Sequence, residues 1–160
     1  EACVQPAHWS GDVDTLADGE TKIYNHEPMR HNEKVMKRIV NVPQGGNWHD
    51  LPPELYDVGG THSNNYRRLH PDKPSITIKH AVKSMIIHPE FDRVVTAREV
   101  ARLQSIPDSF IIEGNKTDQH QQLANAVPPL LGYEIGKQVI KKLDNPTKPE
   151  IEVQSSLRDF

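Results

Sequence analysis

The chain has 160 residues, 35% of them hydrophobic, with 13 prolines and 9 glycines, a polar and loop-rich composition that supports one modest core. No run of apolar residues approaches the roughly 18 that a membrane span needs, and one cysteine, Cys3, supplies neither an internal disulfide nor a metal-binding Cys pair. The net charge of -3 conceals an uneven distribution: from Gly60 to Ser105 eight bases face four acids, and the surplus of acids lies outside that stretch. A basic middle is what a polyanion-binding face leaves in a sequence, although a solvated mixed surface gives the same count.

Glu1 to Asn25 shows neither helical nor strand periodicity and reads as an irregular leader. No charged-then-apolar leader follows Glu1, so no signal peptide is expected, and the missing initiator Met suggests a piece of something larger. His31 to Val40 has helical spacing, with Val35, Met36 and Ile39 on one side and Pro28 just upstream. Pro43-Gln-Gly-Gly-Asn47 is a turn, Trp48 to Leu55 is too short and proline-broken for a long helix, and Gly59-Gly60 with Ser63 to Asn65 extends a loop.

Alternation in Ser75-Ile-Thr-Ile-Lys79 and the apolar run Met85-Ile-Ile87 predict short strands of a small sheet. Thr96-Ala-Arg-Glu99 has the form of a capping box opening a helix through Val100, Leu103 and Gln104 that ends before Pro107. Thr117 or Asp118 is placed to cap the next helix, which runs toward Ala126 and is interrupted by Pro128-Pro129. A last helix to Leu143 carries Leu131, Ile135 and Val139 as a stripe, and a loose tail follows from Asp144 to Phe160. The expected fold class is α+β: a small, irregular mixed recognition domain with short strands, then C-terminal helices.

The nine histidines do not assemble a metal motif; His26 and His31 are five apart with Pro28 between them, so they share no helical face. No metal site is expected. Cys3 has no catalytic signature around it, and neither glycine pair has the strand-to-helix context of a phosphate loop.

Arg93-Val-Val-Thr-Ala-Arg-Glu-Val-Ala-Arg-Leu-Gln-Ser-Ile-Pro-Asp108, followed by Gln122-Leu-Ala-Asn-Ala-Val-Pro-Pro129, resembles the last two motifs of the DNA (cytosine-5) methyltransferases. Those motifs run approximately R-x-L-T-x-R-E-x-A-R-L-Q-x-F-P-D and Q-x-G-N-A-V-P-P. Pro43 to Pro52, Tyr66 to Ser75 and His88-Pro89 look like the variable region of bacterial members, so the resemblance covers about residues 26–143. Ala124 stands for the usual glycine and Ile106 for the usual Phe. The family's Pro-Cys-Gln, Glu-Asn-Val, Gln-x-Arg-x-Arg and glycine-containing cofactor loop do not occur in these 160 residues.

The resemblance implies part of an enzyme that flips a cytosine out of duplex DNA, attacks C6 with a thiolate and methylates C5 from S-adenosyl-L-methionine. It assigns residues 26–95 to target recognition and 96–143 to a closing segment that packs on a Rossmann-like catalytic lobe, present in cis or as a separate subunit. No catalytic residue lies in this chain, which alone would be inactive, and the setting implied is a cytoplasmic restriction-modification system. A free-standing DNA-binding or regulatory module derived from such an enzyme is the alternative.

By the same resemblance Asn125 and Ala126 approach the cofactor, and Arg98, Glu99, Arg102, Gln104 and Gln122 form the structural motif; by spacing alone, Glu99 and Arg102 are one helical turn apart and placed to pair. Arg67, Arg68, Lys73, Thr77 and Lys79 lie in a polar loop and on alternating positions, where cations reach phosphates and a hydroxyl reaches phosphate or base. Gln44, Gly45, Gly46 and Asn47 form a loop that either enters a groove or is a plain turn.

Overall fold

A computed structural model describes residues 22–56 and 65–144. Cys3, Gly59-Gly60 and the tail beyond Asp144 lie outside the described residues. The first regular element, α1 (Glu33–Asn41), starts where Asn32 turns its side-chain oxygen to the amide of Val35 at 2.9 Å. Ile39 on its inner face is fully buried, and Val35 and Met36 pack against the core beside it.

Beyond α1, Gly46 N–H donates to the Pro43 carbonyl at 2.9 Å and closes the expected turn. Gly45 sits at φ +70°, a conformation that costs a side-chain-bearing residue, and a Cβ on Gly46 would meet Pro43 Cγ at 2.8 Å. Trp48–Asp50 and Pro53–Leu55 are single 3-10 turns, consistent with the short, proline-broken reading.

The expected strands do not form among the described residues. Ser75 to Lys79 keeps the alternation, with Ile76 and Ile78 half-buried and Ser75, Thr77 and Lys79 exposed, yet belongs to no ladder. Ile87 makes two isolated bridges, parallel to Arg68 and antiparallel to Val94. Tyr66 and Met85, both at positive φ, bend the chain out of the extended region at the ends of these segments, so pairing stops after one residue on each side. The α+β expectation is therefore not confirmed: among the described residues the regular structure is helical, and three short stretches meet through single bridges.

The core collects Ile39, Val42, Leu51, Tyr66, Leu69, Ile86, Ile87, Val94, Val95, Val100 and Leu123. Helix α2 (Ala97–Leu103) opens on the expected capping box: Thr96 Oγ1 accepts from the Glu99 amide at 3.2 Å, and Glu99 accepts from the Thr96 amide at 2.7 Å. It ends at Gln104, Ser105 turns to φ +58°, and the Ile106 amide returns to the Ala101 carbonyl at 2.9 Å. Helix α3 (Lys116–Asn125) is capped by Asn115, not by Thr117 or Asp118. Gly114 at φ +96° sets the reversal, and Asn115 then accepts from the Asp118 amide at 3.0 Å. Gln104 Nε2 donates to the Leu123 carbonyl at 2.7 Å and fastens the end of α2 to the last turn of α3.

Arg98 is fully buried. Its guanidinium donates to the carbonyls of Tyr24 (2.9 Å), Pro107 (3.0 Å) and Phe110 (2.7 Å) and to Asn25 Oδ1, with Asp108 at 3.7 Å. Asn25 also exchanges two bonds with the backbone of Ile112, so the segment leaving the leader is strapped to the α2–α3 connection.

The chain divides into two compact units, the first ending at Pro128 and the second beginning at Pro129. In the second, α4 (Pro129–Asp144) starts with proline at a first-turn position where its missing N–H is harmless. Leu131, Ile135, Val139 and Leu143 repeat every four residues along it, each more than half exposed. No helix of the described residues is long and apolar enough to cross a membrane.

Replacing Arg98 by Ala removes a buried donor set and strands three carbonyls. The expected loss of stability is on the order of 3–5 kcal/mol, read from urea unfolding midpoints.

Candidate nucleic-acid interface

The segment from Tyr66 to Ser75 separates its cations by direction. Arg67 is half-buried and its guanidinium makes no hydrogen bond or ion pair among the described residues. Arg68 points inward and is 5% exposed. Its guanidinium donates to the carbonyls of Ile39 and Val42 (both 2.7 Å), His88 (3.1 Å) and Phe91 (3.2 Å), and to Asp92 Oδ1 (2.7 Å). All its directions are used, so the phosphate contact expected of Arg68 is corrected: it ties α1 to the His88–Phe91 turn. Lys73, Thr77 and Lys79 are exposed.

The Gln44–Asn47 loop packs beside this segment. Gly46 is buried, its carbonyl accepting from the Arg68 amide at 3.0 Å. Asn47 caps the first 3-10 turn, accepting from the His49 amide at 2.8 Å, while Asp50 accepts from the Asn47 amide. Those groups are therefore committed to the turn. Gln44 is the exposed part of the loop and donates to the Pro89 carbonyl at 3.2 Å, and Gly45 is half-buried beside His70.

A cleft of about 500 Å³ opens between Leu69–Ser75, His88–Glu90 and the outer face of α2. Leu69, Val95 and Leu103 line it along with His70, Lys73, Ser75, His88 and Arg102. His88 Nδ1 accepts from the amides of Glu90 and Phe91, both at 3.1 Å, which leaves Nε2 to carry the proton, 3.7 Å from Glu99 Oε1. Burial holds the His88 pKa below its ordinary value, against the pull of Glu99.

The expected Glu99–Arg102 pair does not form. Glu99 takes a bidentate contact from Arg93 at 2.8 and 2.7 Å, while Arg102 Nε donates to Asp108 at 2.9 Å. The capping-box geometry decides this: Glu99 is turned back to the Thr96 amide, toward Arg93 and away from the residue one turn on. Burial alone would raise the Glu99 pKa, but the Arg93 contact and the Thr96 amide outweigh it and hold the carboxyl at about 2. The sequence reading missed both pairs; Asp108, just past Pro107, was the available signal for the second.

The motif's remaining residues cluster around α3. Gln104 is buried on the Leu123 carbonyl, and Gln122 is exposed and donates to the Glu113 carbonyl at 2.9 Å. Asn125 is exposed at the last position of α3, with its carbonyl oxygen accepting from Gln121 at 3.2 Å. Ala126 is the cap, half-buried against the core. Among the described residues no group of three or more His, Cys, Asp or Glu could hold a metal ion.

Comparison with known proteins gives a consistent picture. The sequence model of the family described as C-5 cytosine-specific DNA methylase matches residues 10–141. The type II methyltransferase M1.HphI of Haemophilus parahaemolyticus is 39% identical over 136 residues, spanning 84% of this chain and 36% of that protein. The type II methyltransferase M.AquIB of a Picosynechococcus strain is 34% identical over 132 residues, 76% of this chain and 90% of that one. A solved structure of a prophage-encoded DNA modification methyltransferase from E. coli superposes with a TM-score of 0.57 at 26% identity, covering 76% of this chain and 30% of the other. This chain thus spans about a third of most of these relatives.

Glu99 is depressed in the folded protein, so its contribution is complete above the ordinary carboxylate range and is lost as pH falls toward 2. Glu99→Gln should lower stability at pH 7 by on the order of 3 kcal/mol and flatten the acid limb between pH 4.5 and 2, as followed by urea unfolding across that range.

Proposed function

Because the chain belongs to the C-5 cytosine-specific DNA methylase family, we propose that it is the DNA-recognition and cofactor-site-completing part of a DNA (cytosine-5) methyltransferase of restriction-modification type. The observation that carries the reading is the extent of the match: it includes the last two motifs of the family, while the thiolate motif is absent from these 160 residues. The chain therefore grips duplex DNA and does not form the bond to C6, and on its own it transfers no methyl group. The complete activity requires the catalytic lobe.

Arg67, Lys73 and Lys79 are the cations that reach the phosphates, with Thr77 between them able to bond a phosphate or base edge. Two features support this reading: Lys73, Thr77 and Lys79 are exposed and the half-buried Arg67 makes no ion pair among the described residues, whereas Arg68 is committed inward, which removes it from the set. Gln44, the exposed part of the loop, and Gly45 beside it approach the groove. Arg98, Glu99, Arg102, Gln104 and Gln122 brace the scaffold behind that face.

S-adenosyl-L-methionine, when bound, supplies the methyl group. Asn125 fits a partial contact to it, because its carboxamide stands exposed at a helix end and, among the described residues, bonds a neighbouring glutamine; Ala126 would present backbone and a methyl beside it. The exposed Leu131–Ile135–Val139–Leu143 stripe of α4 is an apolar face suited to the catalytic lobe. A relative matched across 90% of its own length supports such a region existing as a separate polypeptide.

Two measurements test the reading. Mixing the chain with a family catalytic lobe should give transfer of labelled methyl to cytosine C5 in duplex DNA, with none from the chain alone; transfer by the chain alone would refute it. In the reconstituted enzyme, Arg67→Ala, Lys73→Ala and Lys79→Ala should each reduce the slope of log affinity against log salt by about 0.9. Arg68→Ala should instead lower the unfolding midpoint.

A further inference from the structure

His80 and His120 are buried imidazoles that the proposed function leaves unused. His80 follows the segment carrying Thr77 and Lys79, and His120 lies in the second turn of α3, five residues before Asn125. The rings stack with centroids 6.3 Å apart and planes inclined by 26°. They are 8% and 2% exposed, and neither His80 Nε2 nor His120 Nδ1 has a hydrogen-bond partner. The Lys83 amide donates to His80 Nδ1 at 3.3 Å, so that nitrogen is bare and Nε2 carries the hydrogen. Adding a proton to His80 would set two N–H groups against each other at Nδ1.

The charges around the pair do not compensate. Lys83 acts on His80 against protonation, and His80 acts on His120 in the same sense. Only the backbone of His80 and of Thr117 favours the charged ring at His80. On α3, Lys116 reaches Glu27 at 3.1 Å and the Asp118 carboxylate accepts from Asn115 Nδ2, and no carboxylate is among the groups that act on either imidazole. Two neutral rings pack well there, and two charged rings do not.

We propose that His80 and His120 form a proton-operated latch that holds the Ile76–Lys83 segment against α3 while both rings are neutral and releases it on acidification. The latch is a property of this unit alone and does not rest on the methyltransferase reading. If that reading holds, the latch couples the segment carrying Thr77 and Lys79 to the helix that ends at Asn125.

Desolvation holds both imidazoles below their ordinary value, His120 at about 4. The His120 stabilisation is therefore present above the ordinary histidine range and is lost as pH falls from about 6.5 toward 4, and that of His80 is lost in the same direction below its ordinary range. Urea unfolding of the full chain between pH 4 and 8 should show the unfolding constant rising by about tenfold per pH unit for each proton taken up in that window. His120→Phe should flatten the profile by one proton. His120→Gln serves as a second variant, and imidazole NMR titration of the wild type gives a measurement that needs no variant. As pH falls, the amides of residues 76–84 and of the first turns of α3 should broaden before those of α1 and α2. Superimposable pH profiles for wild type and both variants, or His120 titrating between 6 and 7, would overturn the latch. So would zinc stabilisation at pH 7 that disappears in His120→Phe, which would mark a metal site instead.

Discussion

The fold depends on guanidinium groups taking the place of a sheet. A chain with short helices and only single bridges leaves many backbone carbonyls inside the protein, each costly if unpaired. Arg38 donates to the Leu55 carbonyl, Arg68 to four carbonyls and Arg98 to three. Each of these arginines is less than a tenth exposed. The planar fork with its five donors suits this role better than a lysine, whose compact charge would satisfy fewer acceptors and keep more of its hydration. Arg68 and Arg98 also join segments far apart in sequence, as strand pairing does elsewhere.

That division explains the basic stretch noted in the sequence. Of its eight bases, Arg68 and Arg98 are buried, and Arg93 and Arg102 are paired with Glu99 and Asp108. Arg67, Lys73, Lys79 and Lys83 remain for the outside. The excess of positive charge is therefore not a uniform face: half of it is internal scaffolding, and the part available to an anion is a short row along one loop. Counting charges could not separate the two uses, because direction is set by the positive φ at Tyr66 and the bridge at Arg68.

Much of the helical part was legible beforehand because its signals are local. The Thr96–Glu99 box, the Pro128-Pro129 interruption and the Ile39 face each act within a few residues. The α3 start was misplaced because Asn115, behind a glycine at positive φ, outcompetes Thr117 and Asp118 for the cap. The strands failed for a non-local reason: alternation records which side chains are covered, and Ile76 and Ile78 are covered without any ladder to hold the backbone. Arg68 was misread on the same ground, since nothing near it in sequence announces the carbonyls of Ile39, Val42, His88 and Phe91.

The buried imidazoles complete the argument by contrast. An arginine inside this unit remains charged because carbonyls and an aspartate surround it; at Arg98 burial depresses the guanidinium, but Asp108 and three carbonyls hold it. The two histidines occupy a comparably buried place where only the backbone of His80 and of Thr117 favours a charged ring and desolvation outweighs it, so the packing favours the neutral state. Where α3 meets the Ile76–Lys83 segment, no arginine among the described residues takes that part: two stacked imidazoles are buried beside the packed side chains of Ile76, Ile78 and Ala81. That junction is thus held by packing that a proton can reverse, whereas the arginine hubs stay charged across the physiological range.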